Sequence, residues 1–337
     1  MPPILRKNIP TLIFLVLVYS WFLVSNISRP TTHQVPGADT NIILSVQPEA
    51  GREPLLDAIN DARQEILVEM YLLSDKQIIE ALGNARSRGI AVNVMLEKHP
   101  FGGSNLNNKS EKTLKESGVA VKWTNPKYSL THQKSVVIDG AVALILNQNL
   151  TASAFTKNRE FNIIDTNPED VAEIRNIFMA DWERRDFNPT QTHLIVSPKN
   201  SRVALTTLIK SAEKSIEMEM EYIEDEGMVS LLSDRAKTVE VKLIVPTLSQ
   251  FQANKDAIYL LVQEGALVKT LSSPYIHAKM ILVDDTKAYV GSINFSTQSM
   301  DENRELGIMI TEDDSIQTLD TTFSKDWDAG TQIHKSN

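Results

Sequence analysis

The chain contains a second copy of itself. Ile66 to Asp75 (ILVEMYLLSD) aligns with Ile216 to Asp225 (IEMEMEYIED) at a shift of 150, and farther on the shift settles at 145. At that offset His132 falls on His277, Lys134 on Lys279, Asp139 on Asp284 and Asn149 on Asn294. Asn158–Glu160 (NRE) falls on Asn303–Glu305 (NRE), and Phe178–Trp182 (FMADW) on Phe323–Trp327 (FSKDW). A shift held constant over so many positions marks a duplication rather than a coincidence of composition. Two halves this similar in plan are expected to pack about a pseudo-twofold axis.

Within the first half, helical spacing of apolar residues over 53–63 and 76–88 alternates with buried-strand runs over 66–72 and Ile90–Leu96, and Gly89 stands where a helix should stop. The second half repeats the order with Ala204–Ala212, Ile216–Tyr222, Met228–Ala236 and Val239–Val245. Residues 169–184 and 314–327 read as closing helices. The expected class is therefore α/β: two similar layered halves, 41–188 and 189–337, each with a β-rich block around its histidine.

The amino terminus reads differently. Arg6 and Lys7 precede the uncharged run Thr11–Val24, which fades to a stop at Arg29 and Pro30. That is about 17–20 residues, long enough to span a bilayer. With no A-x-A-like cleavage site behind it, residues 1–29 read as an uncleaved anchor, with a cleaved signal as the competing reading. Two basic residues ahead of the span and one behind place the amino terminus in the cytosol and the catalytic domain outside it, or make the protein secreted if the segment is cut. Tyr19 and Trp21 suit interfacial anchoring, and residues 30–40, with His33, form a tether.

The histidine segments carry the chemistry. In His132–Gly140 (HQKSVVIDG), Val136 and Ile138 indicate a strand, on which His132 and Lys134 share a face, and Asp139-Gly140 signals a tight turn. Ile276–Asp285 repeats the plan, each return strand leads to a polar cluster (Asn149; Ser292 and Asn294), and Glu160 and Glu305 each lie 28 residues past their histidine. Here the chain resembles the phospholipase D superfamily, whose signature is H-x-K-x4-D-x6-G-S-x-N. The second copy matches throughout from His277 to Asn294, whereas the first has Leu146 and Asn147 in place of glycine and serine. The resemblance extends from about residue 41 to the end and implies a phospholipase D-like fold, a covalent phosphohistidine intermediate, and release to water or to an alcohol.

Cutting a phosphodiester without a metal requires a nucleophile for phosphorus, cationic donors for the non-bridging oxygens and an acid for the leaving alkoxide. Two histidines held in opposite protonation states and two lysines supply that set. We assign His132 as nucleophile and His277 as acid, the reverse remaining open at this level. Lys134, Lys279, Asn149, Asn294 and Ser292 are the candidate phosphate ligands, and Glu160 and Glu305 would orient the imidazoles. Asp139 and Asp284 complete the motif, though their turn positions point to a turn or supporting role. Arg159 and Arg304 fit either buried ion pairs or site support, and the Phe-x-x-Asp-Trp segments fit packing of helix on core. His99, Gly102 and Gly103 lie in a polar loop that could flank the cleft or be ordinary surface.

Several function classes drop out. The chain has no cysteine, so disulfide frameworks, cysteine-ligated metals and thiol catalysis are excluded. Neither a zincin motif, an aspartate-rich calcium loop nor a glycine-rich nucleotide fingerprint is present, so neither metal nor cofactor is expected. The formal net charge is −9, and because the only charged side chains before Pro30 are the basic Arg6, Lys7 and Arg29, the rest of the chain carries 31 basic against 43 acidic side chains, or −12. That argues against a phosphate-backbone binder. The expected substrate is a phospholipid at a membrane, acted on by a monomer whose two halves form one site. A membrane-tethered nuclease acting on nucleic acid is the rival, and a cardiolipin synthase-like phosphatidyltransferase the second alternative. Cardiolipin synthases of this family are typically longer, with two spans, and the single span here ranks hydrolysis ahead of synthesis. A degenerate scaffold is the remaining reading, prompted by Leu146 and Asn147.

Overall fold

Aspartates at the ends of the aligned segments start the same helix in each half. Asp75 accepts from the amides of Gln77 and Ile78 to cap Lys76–Ser87, and Asp225 accepts from Met228 N to cap Glu226–Arg235. Arg52 and Arg202 fasten these caps from the preceding helices at 2.7 and 2.8 Å. The computed structural model describes residues 41–335 except 104, 192 and 250–253, and these lie in one compact unit, Thr40–Asn337. The proposed span with its flanks, and the tether over 30–40, lie outside the described residues. Among the described residues no helix is long and apolar enough to cross a membrane.

The first half contributes β1 (Ile42–Gln47), β2 (Glu65–Met70), β3 (Ala91–Leu96), β4 (Ala120–Trp123), β5 (Lys134–Ile138), β6 (Val142–Ile145) and β7 (Asn158–Asp165). They form a sheet in the order β1-β7-β6-β5-β2-β3-β4. The second half contributes β8 (Leu194–Ser197), β9 (Ser215–Met220), β10 (Glu240–Pro246), β11 (Leu267–Leu271), β12 (Tyr275–Ile276), β13 (Lys279–Val283), β14 (Lys287–Gly291), β15 (Glu305–Ile310) and β16 (Thr331–Gln332). Its sheet runs β16-β11-β10-β9-β13-β14-β15-β8, the same order with one added edge strand. In each sheet the three strands joined through helices are parallel and the histidine-bearing block is antiparallel, as short hairpins require.

Beyond the expected elements, each half adds a helix and a strand: Asn108–Glu116 before β4, and Lys255–Glu264 before β11. The closing helices run Pro168–Trp182 and Asp313–Ala329. Two apolar clusters, around Leu82 and Val94 and around Leu232 and Leu243, each belong to one half and lie under its outer helices. The third is shared, bringing Phe161, Ile163 and Phe178 together with Ile308, Leu319 and Phe323. Burial of such side chains stabilises by about 1.5–3 kcal/mol each, so the shared cluster makes the halves one folding body.

Candidate active site

Each histidine enters the site by way of the opposite half. The sequence places His132 and Lys134 on one strand, but β5 begins at Lys134, and the amides of His132 and Gln133 both donate to Arg304 O at 2.9 Å. In the second half Tyr275 and Ile276 pair in parallel with Asn158 and Arg159, and His277 N donates to Arg159 O. The NRE segment of each half therefore serves as a short rail for the histidine of the other, and the chain joins its own sheet only at the lysine.

That crossing decides the carboxylate partners. His277 Nδ1 lies 2.7 Å from Glu160 Oε2, and His132 Nδ1 lies 2.9 Å from Glu305 Oε2 and 3.2 Å from Ser292 O. Both glutamates are fully buried. A carboxylate at Nδ1 fixes the proton there and leaves Nε2 for chemistry. Lys134 and Lys279 are also fully buried, each donating from Nζ to the carbonyl of its own histidine at 2.6 Å. Asn149 and Asn294 are buried at matching positions of the two halves, just past the strands that return from the lysine strands.

Burial and neighbouring charges set the state of His132 and of the groups beside it. Burial, reinforced by Lys134 and Lys279 and only partly countered by Glu305, pushes His132 down to about 4. Burial and the neighbouring Lys279 push Lys134 down to about 7, against the opposing pull of Glu305. Burial works to raise Glu305, but His132 and Lys134 outweigh it and hold the carboxyl below its usual range. At neutral pH His132 is thus a neutral imidazole donating from Nδ1 to an ionised Glu305, with a free lone pair at Nε2. Lys279 acts electrostatically on His132, so the two halves share one field.

The sequence reading missed Glu221. It follows β9 as Tyr71 follows β2, and its Oε2 lies 2.8 Å from Lys279 Nζ and 3.5 Å from His277 Nε2. Burial would raise its carboxyl, but His277 and Lys279 bring it down to about 2. Around His132 the same place holds the Tyr71 ring, edge-on with centroids 4.7 Å apart. Tyr71 Oη accepts from Phe101 N at 2.5 Å, so the loop containing His99 does border the site, through Phe101 rather than through His99, which is exposed.

Other sequence candidates are placed elsewhere. Asp139 and Asp284 sit beyond the far ends of β5 and β13, about 16 Å of strand away from the lysines. Asp139 accepts from the amides of Arg63, Gln64 and Glu65, and Asp284 from those of Glu213, Lys214 and Ser215, all at 2.7–2.9 Å. Both adopt positive φ and clamp the turn before the neighbouring strand, which removes them from the catalytic set. The Ser292 hydroxyl is fully buried and engaged by the Leu306 backbone in both directions, so it is not free for phosphate, and its carbonyl is what faces His132. Arg159 pairs with Asp326 at 2.5 Å and Arg304 with Asp181 at 2.7 Å, so the aspartates of the Phe-x-x-Asp-Trp helices receive guanidinium groups from across the halves. The Phe and Trp of each helix stack on one another. Glu217, Asp285 and Asp320, whose carboxylates gather within 4.8 Å, lie toward the far ends of β9 and β13, away from the histidines.

Comparison with known proteins bears on the family and the fold. A family model described as "Cardiolipin synthase, PLD-like domain" matches residues 55–182 and 205–327, one match in each half. Cardiolipin synthase 1 of Bacillus cereus is 22% identical over 331 residues, covering 83% of this chain and 65% of that protein. The chain thus spans just under two thirds of that relative's length. Among solved structures, a phosphatidylserine synthase from Haemophilus influenzae shares the fold with a TM-score of 0.67 at 11% identity, covering 88% of each chain. A polyphosphate kinase from Porphyromonas gingivalis does so with a TM-score of 0.70 at 15% identity, covering 87% of this chain and 48% of the other.

Proposed function

The chain belongs to the phospholipase D superfamily, within the family of the PLD-like domain of cardiolipin synthase, and on that premise we propose that it transfers a phosphatidyl group from a phospholipid to an alcohol. The observation that carries this reading is the crossed pair of His–Glu contacts, each histidine held by the other half's glutamate beside a buried lysine. In the first step His132 Nε2 attacks phosphorus. The P–N bond forms as the P–O bond to the headgroup alcohol breaks, and a proton from His277 Nε2 goes to the departing oxygen. In the second step an acceptor alcohol attacks phosphorus, its proton returns to His277, and the P–N bond breaks. Lys134, Lys279 and the Asn149 and Asn294 amides supply donors for the non-bridging oxygens, where charge accumulates in the transition state.

The cardiolipin synthase among the relatives supports transfer over the hydrolysis that the single span had ranked first. The charged side chains set around the histidines are Lys134, Lys279, Glu160, Glu221 and Glu305, three carboxylates against two lysines, which gives no support to a nucleic-acid track. The test is product analysis with the full chain on phosphatidylglycerol vesicles in glycerol, beside labelled single-stranded DNA, with and without EDTA. Expected are a transfer product, intact DNA and no effect of EDTA, and a loss of about 10³-fold or more in His132→Ala and His277→Ala. Phosphatidic acid as sole product would make the protein a hydrolase, cut DNA with untouched lipid a nuclease, and activity lost in EDTA and restored by a divalent metal would end the metal-free mechanism.

A further inference from the structure

Two histidines related by a pseudo-twofold axis should be chemically alike, yet a nucleophile and an acid must differ. Their Nδ1 atoms do not provide the difference, since each meets one buried glutamate. The asymmetry lies at the residue that ends the adjoining strand: Tyr71 after β2, Glu221 after β9. Tyr71 gives His132 a neutral ring, set at 75° to the imidazole plane. Glu221 gives His277 Nε2 a carboxylate oxygen at 3.5 Å, and that carboxylate is itself held in place by Lys279 Nζ at 2.8 Å, by the Tyr275 hydroxyl at 3.1 Å and by its own backbone N–H on Ala278 O at 3.0 Å.

We propose that Glu221 divides the labour of the site: by standing at Nε2 of His277, where the opposite half offers only Tyr71, it makes His277 the histidine that carries the transferable proton and leaves His132 the nucleophile. A lone pair at His277 Nε2 would face an anion, whereas an N–H there is attracted to it. With Glu160 at Nδ1 and Glu221 3.5 Å from Nε2, the ring has a carboxylate oxygen on each side, which favours an N–H over a lone pair at Nε2. The remaining titratable groups of the site, Lys279 two residues on from His277 and the neutral His132, Lys134 and Glu305 of the other pair, leave this contrast in place. Glu221 is thus a positioning residue, acting through His277 rather than on phosphorus.

This inference rests on the phosphohistidine mechanism above, but not on a lipid substrate, and its test separates the two. The full chain and its Glu221→Gln, Glu221→Asp and Glu221→Tyr forms are compared on phosphatidylglycerol vesicles and on soluble bis(4-nitrophenyl) phosphate. The second substrate loses 4-nitrophenolate, which departs without protonation. Glu221→Gln and Glu221→Tyr should lower the rate of alcohol release from the lipid by at least about tenfold more than the first-turnover burst of nitrophenolate, as expected for a weakened general acid. Glu221→Asp, which keeps the charge, should recover most of the difference. Equal losses on both substrates, or none on either, would overturn the role assigned to Glu221. A native protein that is inert on lipid but shows this same contrast between a soluble dialkyl phosphate diester, whose alkoxide needs a proton to leave, and the nitrophenyl diester would overturn the lipid reading alone.

Discussion

An imidazole whose Nδ1 is held by a carboxylate has one nitrogen left, and the account of this site depends on which protonation state that nitrogen has in each half. For His132 the neutral form holds down to about pH 4. Protonation removes the attacking lone pair, so kcat/KM should fall tenfold per unit as pH drops through about 4, not through the 6.5 of a free histidine. On the alkaline side Lys134 loses its charge as pH rises through about 7 in the free protein, and with it an attraction for phosphate. A pH–rate profile measured over pH 3–9 checks both limbs. Removing the charge at Nδ1 is a separate prediction: Glu305→Gln and Glu160→Gln should each cost about 10–100-fold in kcat/KM with folding intact, read by steady-state kinetics beside circular dichroism. At this scale the sequence was legible wherever the two copies agree. Histidines, lysines, asparagines and glutamates could be read in register, but Glu221 could not, because it sits where the copies differ. A comparison of the halves for disagreement next to the histidine strand, Tyr71 against Glu221, would have exposed it.

Between the residues and the molecule stand the elements that cross. The Arg304–Asp181 pair is fully buried, and Arg304 O is also the acceptor that receives His132 and Gln133. Breaking such a pair by Arg304→Leu leaves Asp181 charged and uncompensated, with an expected cost of about 3–5 kcal/mol in chemical denaturation. The departure of the first half from the family signature has a packing explanation. In β14 and β15, Gly291 faces Gly307 across the strands, and a Cβ on Gly291 would come within 2.4 Å of Gly307 Cα and 2.5 Å of the Tyr289 hydroxyl. The large Tyr289 side chain takes the space that the glycines leave. The first half has Leu144, Leu146 and Asn162 at the matching positions, a leucine where the second half has a tyrosine and side chains where it has glycines. Gly291→Ala should therefore destabilise by about 1–3 kcal/mol and disturb Ser292, whose carbonyl faces His132. Thermal unfolding and kinetics on one preparation would show both. The sequence hid the helix Asn108–Glu116 for a plain reason: Leu114 is its single apolar residue, so no periodic signal exists. It hid the crossing as well, since an offset says that two segments are alike and not which half each one touches.

For the molecule as a whole, neither half holds a complete site. His132 and Lys134 depend on Glu305 and Arg304, and His277 and Lys279 on Glu160 and Arg159, while the shared apolar cluster draws on both sheets and both closing helices. Such interlocking predicts a single cooperative transition in calorimetry, with van't Hoff and calorimetric enthalpies agreeing, and two separable transitions would contradict it. The duplication itself made the two-half plan legible before any coordinates, because a repeat of this length leaves few other ways to bury two matching apolar faces. The central claim is that the two halves make one asymmetric site in which His132 takes the phosphatidyl group. The most direct measurement is rapid quenching of the full chain during turnover of phosphatidylglycerol, followed by mass mapping of the phosphohistidine. The account predicts the adduct on the peptide containing His132 and none on that containing His277; an adduct on His277, or on neither while turnover proceeds, would contradict it.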